Sequence, residues 1–187
     1  MSTNPVPARR PDVNHLELIG GIERRQIILV EHRASWAQSF SDHAARIAAA
    51  VGPAALQVEH IGSTSIPGLA AKPILDILLV VPDITAEEDY LPQLLGEGYV
   101  LRVREPGHRL LRTPERDLHL HVLQAGDPAA SDYLLLRDWL RSQPRDRALY
   151  EATKRELTSR DWPDMNAYAD AKTDVIEAIK ARARAAL

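Results

Sequence analysis

The sequence predicts a single α/β (α+β) domain, with a sheet in its first two thirds and a helical C-terminal part. Short apolar runs rich in branched residues, bounded by Gly, Pro or polar residues, indicate strands as far as residue 123. From Ala129 onward the apolar residues recur at helical spacing. A chain of 187 residues fits one domain, and such a chain buries roughly 70% of its unfolded surface.

The first elements surround a clear helix. Residues 1–20 are Pro-rich and polar, and we expect them to form a flexible arm before one domain over residues 21–187. The apolar residues 27–30 form either a short strand or an extended lead-in. A helix over Ser35–Val51 follows from apolar residues at helical spacing, and the Gly-Pro pair after it ends the helix.

The remaining elements are the sheet and the C-terminal helices. Strands are predicted over residues 56–61, 74–81, 99–103, 108–112 and 118–123, and the last three form an antiparallel meander. Thr85, with Glu88 three residues later, has the spacing of a capping box and predicts a helix to about residue 95. Further helices are predicted over residues 133–140, 145–159 and 166–187.

Composition excludes several classes of function. The net charge of −3 argues against nucleic-acid binding driven by overall charge. The chain contains no cysteine, which excludes disulfides, thiol catalysis and thiolate metal sites. No stretch has the length and apolar character of a signal-peptide core or a membrane span. We therefore expect a cytoplasmic protein without a membrane partner.

The most informative segment is a Gly-Ser turn between the two strands that precede residue 82. Gly62 frees the backbone, and Ser63, Thr64 and Ser65 offer hydroxyls suited to helix caps. A short helix beginning at Pro67 would direct N–H groups and the positive end of its dipole toward a phosphate. The turn is therefore predicted to bind phosphate. Capping of the short helix is an equally open and compatible role for Ser63.

Asp76 and a pair of histidines are the candidate metal ligands. Asp76 lies in an apolar strand, where a buried charge without a partner would be costly, so it requires a metal, a cation or a cleft. His119 and His121 project from one face of a later strand. Paired imidazoles bind divalent metals, orient phosphates or transfer protons. The simpler interpretation is a solvent-facing strand with two polar residues, and a function requires this strand to lie beside Asp76.

Three basic residues are further candidates for binding an anionic substrate. Lys72 precedes the Asp76 strand, where it is placed to neutralise a phosphate or to pair with Asp76. Arg109 and Arg112 lie on the strand before the histidines and are placed to grip an anion. Each of the three also has an ordinary explanation as a residue of the protein surface.

Two segments together carry a resemblance to a known family. Residues 60–77, HIGSTSIPGLAAKPILDI, and residues 118–122, LHLHV, resemble the GrpB family of bacterial proteins, and the match extends from about residue 22 to about residue 180. That family is similar to the nucleotidyltransferase superfamily, in which a Gly-Ser turn precedes acidic residues on the next strand. The resemblance implies a nucleotidyltransferase-like mixed β-sheet flanked by helices.

The same resemblance implies a reaction. Superfamily enzymes transfer a nucleoside monophosphate from a triphosphate to an acceptor, using metal ions held by carboxylates on neighbouring strands. Asp76 matches the first carboxylate, Leu78 stands at the second, and the third falls on the strand of His119 and His121. These three polar residues are then both catalytic residues and ligands of one divalent metal. Of Mg²⁺, Mn²⁺ and Zn²⁺, the last two suit mixed nitrogen and oxygen donors better.

Two other functions stay open because Leu78 replaces a second acidic residue. One is a non-catalytic module that binds a nucleotide or another phosphorylated small molecule on a degenerate transferase scaffold. The other is a metal-dependent phosphohydrolase, in which water is the acceptor. Nucleotide binding without turnover indicates the first, and water as acceptor indicates the second.

Overall fold

The computed structural model describes residues 8–21, 27–162 and 165–186. Within these ranges one mixed sheet has the strand order β1-β4-β5-β6-β3-β2, comprising β1 (Glu17–Leu18), β2 (Gln57–Ile61), β3 (Leu75–Val81), β4 (Val100–Glu105), β5 (His108–Arg112) and β6 (Leu118–Gln124). The helices in the same ranges are α1 (Ser35–Val51), α2 (Leu91–Gly96), α3 (Pro128–Ser142), α4 (Pro144–Thr158), α5 (Met165–Asp170) and α6 (Thr173–Ala185). No helix in this part of the chain is long and apolar enough to cross a membrane.

Strand β3 lies inside the sheet and is buried on both faces, which explains its almost unbroken apolar sequence. It pairs parallel to β6 and antiparallel to β2. On one face, Ile77 and Leu79 pack into the main core with residues of α1 and α2. On the other face, Leu78 and Val80 pack against β6 and α3. Asp76 is therefore the one residue of β3 whose side chain is charged.

The C-terminal helices pack against the loop between β2 and β3. Ile66 and Leu69 of this loop are buried in a cluster with Leu140 of α3, Tyr150 of α4 and Ile179 of α6. This packing brings Lys154 of α4 to the Gly-Ser turn. Helix α3 starts five positions earlier than the sequence indicates, because the Asp127 carboxylate accepts a hydrogen bond from the Ala129 amide.

Two local predictions are wrong. No helix begins at Pro67; residues 63–65 form a single 3-10 turn, and the chain then turns at Gly68, which has φ +77°. Helix α2 begins at Leu91 rather than at Thr85. The Thr85 hydroxyl donates to Asp83 Oδ1 at 2.7 Å instead of capping a helix, and Pro92 suits the first turn of the later helix.

The described part of the predicted arm, residues 8–20, is attached to the sheet instead of projecting loosely from it. Strand β1 pairs with β4, and the amide of Arg9 donates to Asp83 Oδ2 at 2.7 Å. Residue Val30 forms an isolated bridge with Ala71, so residues 27–30 are an extended lead-in to α1.

Candidate functional site

The parallel pairing of β3 with β6 brings the predicted metal ligands together. Asp76 lies opposite His119 in the register, and both histidines share its face of the sheet. Asp76 Oδ1 is 3.4 Å from His119 Nδ1 and 3.6 Å from His121 Nε2. The three donor atoms lie within 4.8 Å of one another, and all three side chains are partly exposed. The condition that the sequence left open, that the histidine strand lies beside Asp76, is met.

Gly62 places the Gly-Ser turn directly against Asp76. Its backbone has φ +67°, which favours glycine. A Cβ at this position would lie 2.9 Å from Asp76 Cβ and 3.0 Å from its Cγ, and closer still to Oδ2. The absence of a side chain therefore lets the turn lie directly against the carboxylate.

This close approach makes Gly62→Ala a sharp test. We expect it to destabilise the protein by about 2–4 kcal/mol, because a left-handed backbone cost adds to overpacking against Asp76. Gly68→Ala is the matched control: φ there is +77°, and nothing lies within 4 Å of the added Cβ. It should cost only about 1–2 kcal/mol. Urea unfolding followed by circular dichroism measures both, and equal losses would contradict the contact.

The Asp76 carboxyl is held ionised by its neighbours. Burial raises its pKa, but hydrogen bonds from His119 and His121 outweigh that effect and hold the pKa of Asp76 well below its usual value. An ionised carboxylate at this position is ready to act as a ligand for a cation.

A line of hydrogen bonds behind His121 directs one of its ring nitrogens at Asp76. Glu105 Oε1 lies 2.6 Å from His108 Nδ1, and His108 Nε2 lies 3.1 Å from His121 Nδ1. An ionised carboxylate only accepts, so His108 donates through Nδ1 and accepts through Nε2. His121 then donates through Nδ1, and its Nε2 faces Asp76 Oδ1. Two lone pairs facing each other require a proton or a cation between them.

Neither Glu105 nor His108 is among the residues predicted from the sequence. Burial lowers the pKa of His108, which favours the neutral ring that this arrangement needs. The available signal was the alternation of the meander: His108 lies two residues before Leu110, which opposes His121, and so shares its face of the sheet. That signal is usable only once the register of the two strands is known.

The hydroxyls of the turn divide into two groups. Ser65 Oγ donates to the Gly62 carbonyl at 2.6 Å, and Thr64 Oγ1 lies 3.0 Å from His60 Nε2, so both stabilise the turn itself. Ser63 does not cap a helix, because Gly62 holds the cap position of the 3-10 turn. Instead, Ser63 Oγ accepts a hydrogen bond at 3.1 Å from Lys154 Nζ, a residue of α4.

The three basic candidates lie in three different places. Arg112 lies opposite His119 in the register and remains beside the site. The ammonium of Lys72 lies 5.0 Å from the centroid of the Tyr168 ring, on the C-terminal side of the turn. The assignment of Arg109 to phosphate binding is corrected: its side chain lies on the opposite face of the sheet and is 2% exposed.

Arg109 is fully engaged on that opposite face. Its Nε donates to Glu87 Oε1 at 2.7 Å, and its Nη2 pairs with Asp12 Oδ1. Its Nη1 donates to the carbonyls of Glu105 at 2.8 Å and His108 at 3.1 Å. Strand alternation places consecutive residues on opposite faces, so Arg109 and His108 cannot serve the same cleft.

Comparison with known proteins identifies the family of this chain. A family described as GrpB protein matches residues 26–182. The chain belongs to the GrpB family. It is 59% identical over 184 residues to a UPF0157 protein of Streptomyces coelicolor, covering 98% of both chains. The crystal structure of GrpB from Enterococcus faecalis superposes with a TM-score of 0.73 at 30% identity, covering 83% of this chain and 96% of that one.

A more distant structure shares the architecture of this GrpB chain. The GLD-2/RNP-8 complex matches with a TM-score of 0.50 at 17% identity, over 67% of this chain and 54% of that one. This likeness concerns the fold alone. It confirms the predicted architecture for the GrpB chain, a mixed sheet with helices that include a C-terminal helical part.

Proposed function

We propose that this chain binds a divalent metal ion and a nucleotide and transfers a nucleoside monophosphate to an acceptor. The observation that carries the proposal is the contact of Gly62 with Asp76. Because of it, a turn able to hold a phosphate lies directly beside a set of three side chains able to bind a metal ion. The nucleotidyltransferase-like fold supports the same reaction class.

The residues present fit one divalent ion. Asp76, His119 and His121 would hold it, since their donor atoms converge and the ion would take the place of the proton between Asp76 Oδ1 and His121 Nε2. Two nitrogens and one oxygen favour Mn²⁺ or Zn²⁺ over Mg²⁺. When bound, such an ion stabilises negative charge on phosphate oxygens during an in-line displacement.

The protein itself positions the phosphates. Ser63 Oγ accepts a hydrogen bond from Lys154, so its own proton is free to be donated to a phosphate oxygen. Arg112, beside His119, brings positive charge to the other side of the cleft. In the transfer, the acceptor hydroxyl loses its proton to solvent water as its oxygen forms a bond to the α-phosphorus. The bond from that phosphorus to the bridging oxygen breaks, and pyrophosphate leaves with the electron pair.

A second candidate is a module that binds the ligand without turnover. Leu78, which stands where a second carboxylate would be expected, is fully buried in an apolar cluster with Ile61, Val80 and Leu123. This position therefore supplies no ligand for a second metal ion. A metal-dependent phosphohydrolase, with water as the acceptor, uses the same residues and is distinguished by its products.

Pyrophosphate release from nucleoside triphosphates, with Mn²⁺, Zn²⁺ or Mg²⁺ in turn, tests the proposal. We expect release that depends on Mn²⁺ or Zn²⁺ and is abolished by Asp76→Asn, because the amide removes the charged ligand. Asp42→Asn, an exposed change on α1, is the control and should leave release unchanged. Metal-dependent binding without release would favour the second candidate, and release of orthophosphate would favour hydrolysis. Unaltered activity in Asp76→Asn would refute the site.

A further inference from the structure

The face of the sheet that carries Asp76 is covered by helix α3 over only part of its width. Over β3, Leu78 is buried in a cluster with Ala130 of α3. Over β5, β4 and β1, the side chains of Leu110, Val103 and Leu18 are partly exposed. Among the described residues, these three belong to none of the buried apolar clusters. A contiguous apolar surface left open beside a candidate site indicates a binding surface.

The strand register aligns these three side chains with a predicted metal ligand. Leu110 lies opposite His121, Val103 lies opposite Leu110, and Leu18 lies opposite Val103. Residues that oppose one another in a sheet share a face, and neighbouring strands lie about 4.8 Å apart, so the three side chains span about 10 Å. We call Leu110, Val103 and Leu18 the apolar row. It begins at His121 and ends at the edge of the sheet.

A β-bulge is responsible for the apolar character of the row. Regular pairing of β4 with β5 would set Arg102 opposite Leu110, but the register shifts between Leu101 and Val103, so Val103 takes that place. The Arg102 side chain turns away and donates to two backbone carbonyls at the edge of the sheet. Bulges re-aim side chains in this way beside active sites. Here the bulge replaces a charged side chain by an apolar one next to the candidate site.

Charged and polar side chains border the apolar row on both sides. Along β5, Arg112 and His108 lie two residues to either side of Leu110, and they share its face. Along β4, Glu105 lies two residues from Val103 and pairs with His108. The apolar row is therefore one residue wide. It fits a slender apolar chain and excludes a broad apolar body.

The size of the apolar row favours a small molecule over a protein partner. A stable protein interface buries about 800 Å² on each partner, and three partly exposed side chains offer far less than that. One end of the row also adjoins His121, whose Nε2 lies 3.6 Å from Asp76 Oδ1. A molecule lying along the row would therefore bring its polar end to the metal-binding side chains.

We propose that the apolar row binds the aliphatic chain of the acceptor, and that the acceptor is an alcohol whose hydroxyl lies at the metal-binding side chains. This assignment deepens the proposed function and rests on it for the reaction, although the binding itself requires neither nucleotide nor metal. The alcohol oxygen forms a bond to the α-phosphorus, and its proton passes to solvent water. Pyrophosphate leaves, and the product is an alkyl ester of the nucleoside monophosphate.

Isothermal titration with n-butanol, n-hexanol and n-octanol, without nucleotide or metal, tests the binding directly. We expect the affinity to rise about two- to fourfold with each added methylene, because each buries further apolar surface on the row. Val103→Thr combined with Leu110→Thr should weaken the binding of n-octanol about tenfold. Threonine suits a strand, and the melting temperature of the double variant shows that the fold is kept.

Leu56→Thr is the matched control. Leu56 is 55% exposed and directly precedes β2, at the opposite edge of the sheet from β1, so its replacement should leave the affinity unchanged. Equal affinities for the three alcohols would overturn the proposal, as would wild-type affinity for n-octanol in a stably folded double variant. A dimer of wild type in analytical ultracentrifugation that the double variant abolishes would also overturn it, because a second copy would then cover the row.

The outcome is distinguishable from that of the proposed function. Binding of n-octanol that requires the apolar row, in a protein that releases no pyrophosphate, would support the row and refute the transferase. With nucleoside triphosphate and metal present, mass spectrometry should detect the octyl ester in wild type and much less of it in the double variant. Pyrophosphate release that depends on Asp76 but yields no octyl ester would support the transferase and refute the acceptor assignment.

Discussion

Replacing Arg109 with alanine is expected to destabilise the protein by about 3–5 kcal/mol, because it leaves the half-buried Asp12 carboxylate without its cation and removes one of the two arginines that pair with Glu87. Asp12 and Glu87 both pair with this guanidinium. Burial raises the pKa of each carboxyl, but hydrogen bonds from arginines outweigh burial and lower both pKa values. Urea unfolding at pH 7 measures the loss.

The same variant has a predicted pH dependence. Because the pKa values of Asp12 and Glu87 are lowered in the folded protein, their contribution to stability is present above the ordinary values of 3.8 and 4.5. It is lost as the pH falls through the lower, folded values. The difference in the free energy of unfolding between wild type and Arg109→Ala should therefore be largest at neutral pH and become smaller below about pH 4.

Two comparisons decide whether Arg109 acts in stability or in ligand binding. Arg112→Ala changes a partly exposed arginine on the same strand but the opposite face, and we expect a loss of about 1 kcal/mol or less. Metal-dependent pyrophosphate release by Arg109→Ala, measured well below its melting temperature, should equal that of wild type. An Arg109→Ala variant that keeps its stability but loses pyrophosphate release would restore Arg109 to phosphate binding.

Glu105→Gln and His108→Ala are expected to weaken Mn²⁺ or Zn²⁺ binding by about 10–100-fold, although neither side chain is a ligand. Both belong to the hydrogen-bond line that orients the His121 ring and leaves Nε2 facing Asp76. Without that line, the ring is free to rotate and to carry its proton on either nitrogen. The loss of affinity comes from reorganising His121 before it can bind.

Metal titration by calorimetry, together with the visible spectrum of bound Co²⁺, measures this effect apart from any activity. His43→Ala is the matched control: that histidine contacts Tyr99, lies 2.7 Å from its hydroxyl through Nδ1, and belongs to α1 on the far side of the sheet. It should leave metal affinity unchanged. Identical affinities in wild type and in both Glu105→Gln and His108→Ala would show that the hydrogen-bond line does not support the site.

Local pattern was sufficient for part of the fold and of the site. The apolar run of β3 and the alternation of His119 and His121 are properties of single strands, so they could be read without knowing any partner. The motif around Gly62 also identified the turn beside Asp76. What local pattern could not supply was the contact between Gly62 and Asp76, which depends on how two strands meet.

The errors and omissions have a common physical cause. Alternation along one strand shows that Arg109 and Arg112 lie on opposite faces. Only the pairing of that strand with its neighbours shows which of the two faces the candidate site. Asp12, which pairs with Arg109, is remote in the chain, and no spacing rule links the two. Lys154 is likewise indistinguishable in sequence from a solvated helical lysine until the packing of α4 buries it against Ser63.

The parallel pairing of β3 with β6 also bears on how the chain folds. A meander and a C-terminal helix form from neighbouring residues, whereas joining Asp76 to His119 closes a loop of about 40 residues, and such non-local pairing is slow. The donor atoms therefore converge only once this non-local pairing has formed, and a partly folded chain with intact helices lacks them. A metal ion that binds the native state alone would shift the equilibrium toward the completed sheet. Metal affinity then reports whether β3 and β6 have paired.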